Sequence, residues 1–144
     1  MSPDQPHFTI LLVEDEPADA ELVRIAFREA RLLVDLHHVA DGVEALEFLR
    51  RAGAPRPDLI LLDLNMPRMS GLEFLDAIKG DPMTAGIPVV VLTTSDFDQD
   101  VHRAYAKGAS SYIVKPVDVE QFIAAMKMIE QYWVTIVTLP RKGP

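Results

Sequence analysis

Apolar residues follow two rhythms along this chain. In the first they stand together in short runs: Phe8-Thr9-Ile10-Leu11-Leu12-Val13, Leu59-Ile60-Leu61-Leu62, Val89-Val90-Val91-Leu92 and Tyr112-Ile113-Val114. Runs of this length, rich in β-branched residues, read as strands buried on both faces. In the second they recur at i, i+3, i+4 and i+7: Val23-Ala26-Phe27-Ala30, Gly42-Ala45-Leu46-Leu49, Gly71-Phe74-Leu75-Ile78, Val101-Ala104-Tyr105-Gly108 and Phe122-Ala125-Met126-Ile129. That spacing predicts five amphipathic helices. A less apolar run at 35–40, carrying His37 and His38, reads as a fifth strand at a sheet edge, where water reaches it. Pro17 suits a first helical turn, Asp41 and Asp118 suit N-caps of the second and fifth helices, and Gly53, Gly80 and Gly108 fall where helices should stop.

Strand and helix alternate, and parallel strands joined by right-handed crossovers form a doubly wound α/β sheet. For five βα units the expected fold is flavodoxin-like, (βα)5, a single domain with strand order 2-1-3-4-5. Residues 1–7 read as a flexible leader, 8–131 as the domain and 132–144 as a C-terminal extension, with no output domain. Residues 52–57, Ala-Gly-Ala-Pro-Arg-Pro, read as a stiff surface loop.

Composition narrows the function. A net charge of −8, with the 14 Lys and Arg scattered, argues against direct nucleic-acid binding. The absence of cysteine excludes disulfides, thiolate metal sites and a Cys nucleophile. No run is long enough to span a bilayer, so no membrane partner is expected and a cytoplasmic location is.

The candidate chemistry lies where the strands end, because sheets of this kind bind ligands at the carboxyl ends of their strands. The first strand runs into Glu14 and Asp15, the third into Asp63, the fourth into Thr93 and the fifth into Lys115. Three carboxylates on one rim repel one another, and a divalent cation relieves that repulsion. Mg²⁺, or Mn²⁺ in its place, takes oxygen ligands and keeps several waters. Asp15 and Asp63 are the expected direct ligands, with the backbone carbonyl of Asn65 as a third and Glu14 acting through water. Asp63 then becomes a nucleophile for in-line attack on a phosphoryl group, giving an acyl phosphate. The metal, the Lys115 ammonium and the Thr93 hydroxyl with a backbone N–H would each take one of its oxygens.

Taken singly, these residues have plainer readings. An Asp after a strand is usually a turn or cap residue, Glu14-Asp15-Glu16 can be a solvated helix start, Thr93 a strand residue and Lys115-Pro116 a surface turn. Their conjunction at four strand ends outweighs those readings. His7, His37 and His38 have no carboxylate or histidine partners at ligand spacing and read as structural or exposed, and His102 as solvent-facing. A haloacid-dehalogenase-like phosphatase would want a second Asp two residues after the first as general acid, and that position is Asn65. A flavin protein of this topology would want a phosphate cradle where Glu14-Asp15-Glu16 stands. A partner-binding module without phosphorylation would be favoured by a missing acid, acceptor or lysine, and none is missing.

At these same residues the chain closely resembles the receiver domain of two-component response regulators. The motifs are Leu12-Val13-Glu14-Asp15-Glu16-Pro17, Asp58-Leu59-Ile60-Leu61-Leu62-Asp63-Leu64-Asn65-Met66-Pro67 with Gly71, Pro88-Val89-Val90-Val91-Leu92-Thr93 and Tyr112-Ile113-Val114-Lys115-Pro116. The resemblance spans residues 8–131 and implies Asp63 as phosphoacceptor, Glu14 and Asp15 as the acidic pair, Thr93 as switch hydroxyl, Lys115 as the phosphate-reading lysine and Tyr112 as switch aromatic. It implies a protein that catalyses only its own Mg²⁺-dependent phosphorylation and dephosphorylation. Thr94 departs from the pattern, since a smaller residue usually follows the switch Thr, and it is expected to narrow access to Asp63.

Residues 54–57, Thr93-Thr94-Ser95 and the tail 132–140 are similar to the stand-alone receivers that partner bacterial phytochrome histidine kinases. The implied partner is such a sensor histidine kinase. The fifth helix stays apolar past its core face through Tyr132 and Trp133, and Val134-Thr135-Ile136-Val137-Thr138-Leu139 follows. That surplus apolar surface predicts a homodimer through the fifth helix and tail.

Overall fold

The computed structural model describes residues 8–29, 34–64, 66, 68–93, 98–114, 120–121, 124 and 127–128. Within them the order is β1 (Phe8–Val13), α1 (Pro17–Glu29), β2 (Val34–Val39), α2 (Gly42–Arg50), β3 (Leu59–Leu62), α3 (Gly71–Lys79), β4 (Val89–Thr93), α4 (Asp98–Ala106) and β5 (Ser111–Val114). The strands form one parallel sheet in the order β2-β1-β3-β4-β5, the flavodoxin-like arrangement expected from the alternation. β2 lies at an edge, as its two histidines suggest, and runs one residue earlier than the pattern implied.

Each face of the sheet is sealed by a different set of helices. Leu11, Val13, Ile60, Leu62, Val89 and Val91 point to one side and pack with Ala45 and Phe48 of α2, Phe74, Leu75 and Ile78 of α3, and Ala104 of α4. Ile10, Leu12, Leu59, Leu61, Val90 and Leu92 point to the other and pack with Ala20, Val23, Ala26 and Phe27 of α1. Alternating residues of one strand thus serve two cores, which is why the strands read as continuous apolar runs.

The helix patterns held to different degrees. In α3 all four expected positions are buried, and the helix starts on a full capping box between Ser70 and Glu73. In α2 the buried stripe is Gly42, Ala45 and Phe48, while Leu46 and Leu49 are only half-buried, so the stripe sits one position over from the expected one. Among the described side chains of α4 only Ala104 is buried, and Tyr105, expected in the core, is 48% exposed. α4 covers the β4–β5 side of the sheet, where a short helix presents a narrow stripe to the core. Of the fifth helix, Glu120, Gln121, Ala124, Lys127 and Met128 are described, helical and exposed; the apolar positions Phe122, Ala125, Met126 and Ile129, the cap Asp118 and the tail lie outside the described residues.

The end of the sheet remote from the strand C-termini is pinned by side chains. The Asp58 carboxylate accepts from the Thr9 N–H at 2.9 Å, and the Asp58 N–H donates to the Thr9 carbonyl at 2.7 Å. Between α3 and β4, the Lys79 ammonium donates to the carbonyls of Ala85 and Ile87 at 2.9 and 2.8 Å, and the Thr84 hydroxyl to that of Ile78 at 2.7 Å. Burial lowers the Lys79 pKa from its ordinary value. In the 52–57 loop, expected at the surface, Pro57 is buried and Ala54 packs against the core.

Candidate functional site

The rim is assembled by strand register. β1 and β3 are neighbours with Val13 opposite Leu62, so the residues that follow them, Glu14 and Asp63, leave the sheet side by side. The Asp63 N–H donates to the Val13 carbonyl at 3.0 Å, extending the ladder by one rung and fixing where the chain leaves β3. Carboxylate oxygens of Glu14, Asp15 and Asp63 lie within 4.8 Å of one another. Glu14 and Asp63 are buried, at 1% and 7% exposure, and Asp15 is open to solvent. Two buried acids and one exposed acid, all oxygen donors, fit a hard divalent cation that keeps water on its open side.

Glu14 is held by its backbone as much as by its side chain. Its N–H donates to the Val39 carbonyl at 3.0 Å, its carbonyl accepts from His38 Nε2 at 2.7 Å, and its carboxylate accepts from the Glu16 N–H at 3.2 Å. The carbonyl can only accept, so Nε2 of His38 carries the proton. His38 is therefore structural, as expected, and its place opposite Leu12 brings it to the turn that carries Glu14. His37 differs from expectation: its Nε2 lies 3.1 Å from an oxygen of Asp35, and its ring lies 5.2 Å from that of Phe48. Residues two apart on a strand share a face, which makes Asp35 a partner that ligand-spacing arguments overlook.

Thr93 closes β4 with its backbone opposite Val114 on β5. Tyr112 stands on β5 opposite Val91, half-buried against the core. Lys115 and Asn65 lie outside the described residues.

Two residues after Asp63 carried no assigned role from the sequence, Gly71 standing there only within the receiver motif. A Cβ built on Gly71 would stand 2.6 Å from both the Asp63 carbonyl oxygen and Leu64 Cα, so glycine lets α3 start against the backbone of Asp63 and Leu64; the Gly71 N–H donates to the Leu64 carbonyl at 2.9 Å. Arg68, at φ 64°, forks its guanidinium onto Asp41, with Nε and Nη2 donating at 2.8 and 3.1 Å. Asp41 is the N-cap of α2, as read from the sequence, and also accepts from the Glu44 N–H at 2.9 Å.

The Arg68 guanidinium holds the Asp41 carboxyl below its ordinary 3.8, helped by backbone donors and opposed by burial. A depressed folded-state pKa adds stability that is complete above the unfolded value, about pH 4, and is lost as pH falls through the folded value. The urea midpoint of wild type should therefore fall more steeply than that of Asp41→Asn below about pH 4, with parallel curves above it.

Against known sequences, residues 10–127 match the response regulator receiver domain. The chain belongs to this family. It is 40% identical over 139 residues to the response regulator Rcp1 of Synechocystis sp., a match covering 94% of this chain and 95% of Rcp1. Among solved structures, the phosphorylated cyanobacterial phytochrome response regulator RcpA superposes with a TM-score of 0.83 at 41% identity, covering 91% of this chain and 96% of that one. The Mn²⁺-bound form of Rcp1 superposes with a TM-score of 0.78 at 39% identity, covering 88% and 94%. This chain is thus a receiver-domain signalling protein, and its Glu14–Asp15–Asp63 cluster fits the divalent-metal site of receiver domains. No described helix is long and apolar enough to cross a membrane.

Proposed function

We propose that Asp63 is the phosphoacceptor, taking a phosphoryl group from the phosphohistidine of a sensor histidine kinase of the phytochrome type. The observation that carries this reading is the convergence of Glu14, Asp15 and Asp63 within 4.8 Å at the ends of β1 and β3. A carboxylate oxygen of Asp63 forms the new P–O bond as the donor's P–N bond breaks, and the leaving imidazole retains the electron pair. Asp15, Asp63 and the Asn65 carbonyl, with Glu14 through water, would hold Mg²⁺ or Mn²⁺, which would supply charge neutralisation for the transferring group. Lys115 and Thr93 complete the oxygen partners. The fall of Thr93 toward the phosphoryl group then frees space for Tyr112, shifting the population of the α4–β5 face. The protein catalyses only its own phosphorylation and the hydrolysis that reverses it. RcpA in its phosphorylated form and Rcp1 in its Mn²⁺-bound form support this chemistry by similarity.

The test is transfer from an autophosphorylated phytochrome histidine kinase, with the modified residue located by mass spectrometry. Label on Asp63 that disappears on chelating the metal is the expected result. Label elsewhere, or transfer indifferent to chelation, refutes the reading.

We further infer a cytoplasmic homodimer joined through the fifth helix and the tail at 132–139. Tyr105 and Met128, 48% and 70% exposed, add apolar surface on α4 and the start of that region. Light scattering should give a dimer for the full chain at micromolar concentration and a monomer for a chain ending at Gln131. A full-length monomer, phosphorylated or not, would exclude it.

A further inference from the structure

The acceptor loop between Asp63 and Gly71 reaches across to α2 at two adjoining points. Arg68 grips Asp41 through two hydrogen bonds, and its Nη2 lies 4.0 Å from Glu44. Next to it Met69 covers Gly42 so closely that a Cβ there would meet Met69 Sδ at 2.9 Å. Asp41 is itself buried and caps α2, so the acceptor of the fork is tied to the start of that helix. Arg68 pays for this grip with a left-handed backbone at φ 64°, a region that arginine adopts only when its surroundings hold it there. A side chain anchored to a rigid helix start, on a backbone held in a rare conformation, is a fixed point in an otherwise irregular loop.

We propose that Arg68 is a positioning residue for the metal and phosphoryl site, its fork onto Asp41 fixing the loop that leaves Asp63. The inference rests on the functional reading above and adds to it a residue that touches neither metal nor phosphate. The guanidinium fork is the operative feature, because two parallel bonds fix orientation where a single ammonium contact fixes only distance. α2 thereby becomes part of the acceptor machinery. Displacing a carboxylate that would hold the metal lowers affinity even when every ligand remains.

The experiment titrates Mg²⁺ into the full chain, without phosphodonor, for wild type, Arg68→Ala, Asp41→Ser and the double variant; serine keeps the N-cap while removing the carboxylate. A parallel arm measures phosphorylation by a small acyl phosphate at saturating Mg²⁺. Each single variant should raise the half-saturating Mg²⁺ concentration by about tenfold, as loss of an outer partner does at metal sites. The double variant should be no worse than either single one, because both remove the same interaction. Arg68→Lys, which preserves charge and volume, should recover only part of the affinity and serves if the alanine variant does not fold. Wild-type Mg²⁺ affinity in Arg68→Ala or Arg68→Lys, with only the urea midpoint lowered, would overturn the proposal. Multiplying effects in the double variant would overturn it too, since the two residues would then act separately. Failure of wild type to take a phosphoryl group on Asp63 appears only in the second arm and refutes the functional reading, leaving the titration to judge the latch.

Discussion

Asp63→Asn is expected to abolish phosphorylation completely and, at the same time, to make the metal-free protein more stable. The first effect follows from chemistry: an amide oxygen does not supply the anionic nucleophile that an acyl phosphate requires. The second follows from crowding. Asp63 is buried beside Glu14 and within 4.8 Å of two other carboxylates, and removing one charge of three relieves repulsion on the order of 1 kcal/mol. For a domain of this size that raises the melting temperature by about 3 °C in chelator. Added cation reverses the order, since Mg²⁺ at a hundredfold excess over its dissociation constant stabilises the wild type by about 2.7 kcal/mol and the variant by less. Thermal melts with chelator and with Mg²⁺ read both signs. A variant that still forms a stable phospho-adduct, or one whose Mg²⁺ response equals that of wild type, would remove Asp63 from the site.

The parts of this site that were legible in the sequence are those governed by strand periodicity. Glu14, Asp15 and Asp63 follow apolar runs, and parallel register carries the ends of β1 and β3 to one rim. Less legible were the residues whose role depends on how helices meet loops. Phe48 sits one position off the expected α2 stripe, and Tyr105 fits the helical period of α4 yet faces outward, because periodicity gives a face without saying how much of it the sheet covers. Arg68 carries no motif, and its partner Asp41 lies far back in the chain, so the pair emerges only when the acceptor loop is seen against α2. Gly71 offered a signal that could have been used: glycine at the first position of a helix is poor for helix stability, and its presence there implies a close approach.

Gly71→Ala is the substitution expected to damage fold and site together. Alanine is the better helix former, and replacing glycine also restricts the unfolded chain, effects that favour the variant by about 1 kcal/mol. Against this, the new methyl group would stand 2.6 Å from the Asp63 carbonyl oxygen and from Leu64 Cα, where both neighbours are backbone and no rotamer change relieves the contact. Overpacking of this kind costs about 3 kcal/mol, so repulsion wins and a net loss of about 2 kcal/mol is expected, near 6 °C in melting temperature. The relief available is a shift of α3 away from the loop. Such a shift strains the Gly71 N–H bond to Leu64 and draws the Asp63 backbone with it, so Mg²⁺ affinity should fall along with stability. Core damage elsewhere would not couple the two: Ile78→Val, at the far end of the same helix and fully buried, should lose about 1 kcal/mol while leaving Mg²⁺ binding unchanged. Equal Mg²⁺ affinity in Gly71→Ala and wild type would mean that the acceptor loop accommodates the methyl group without moving Asp63, and that the close approach of α3 serves packing alone.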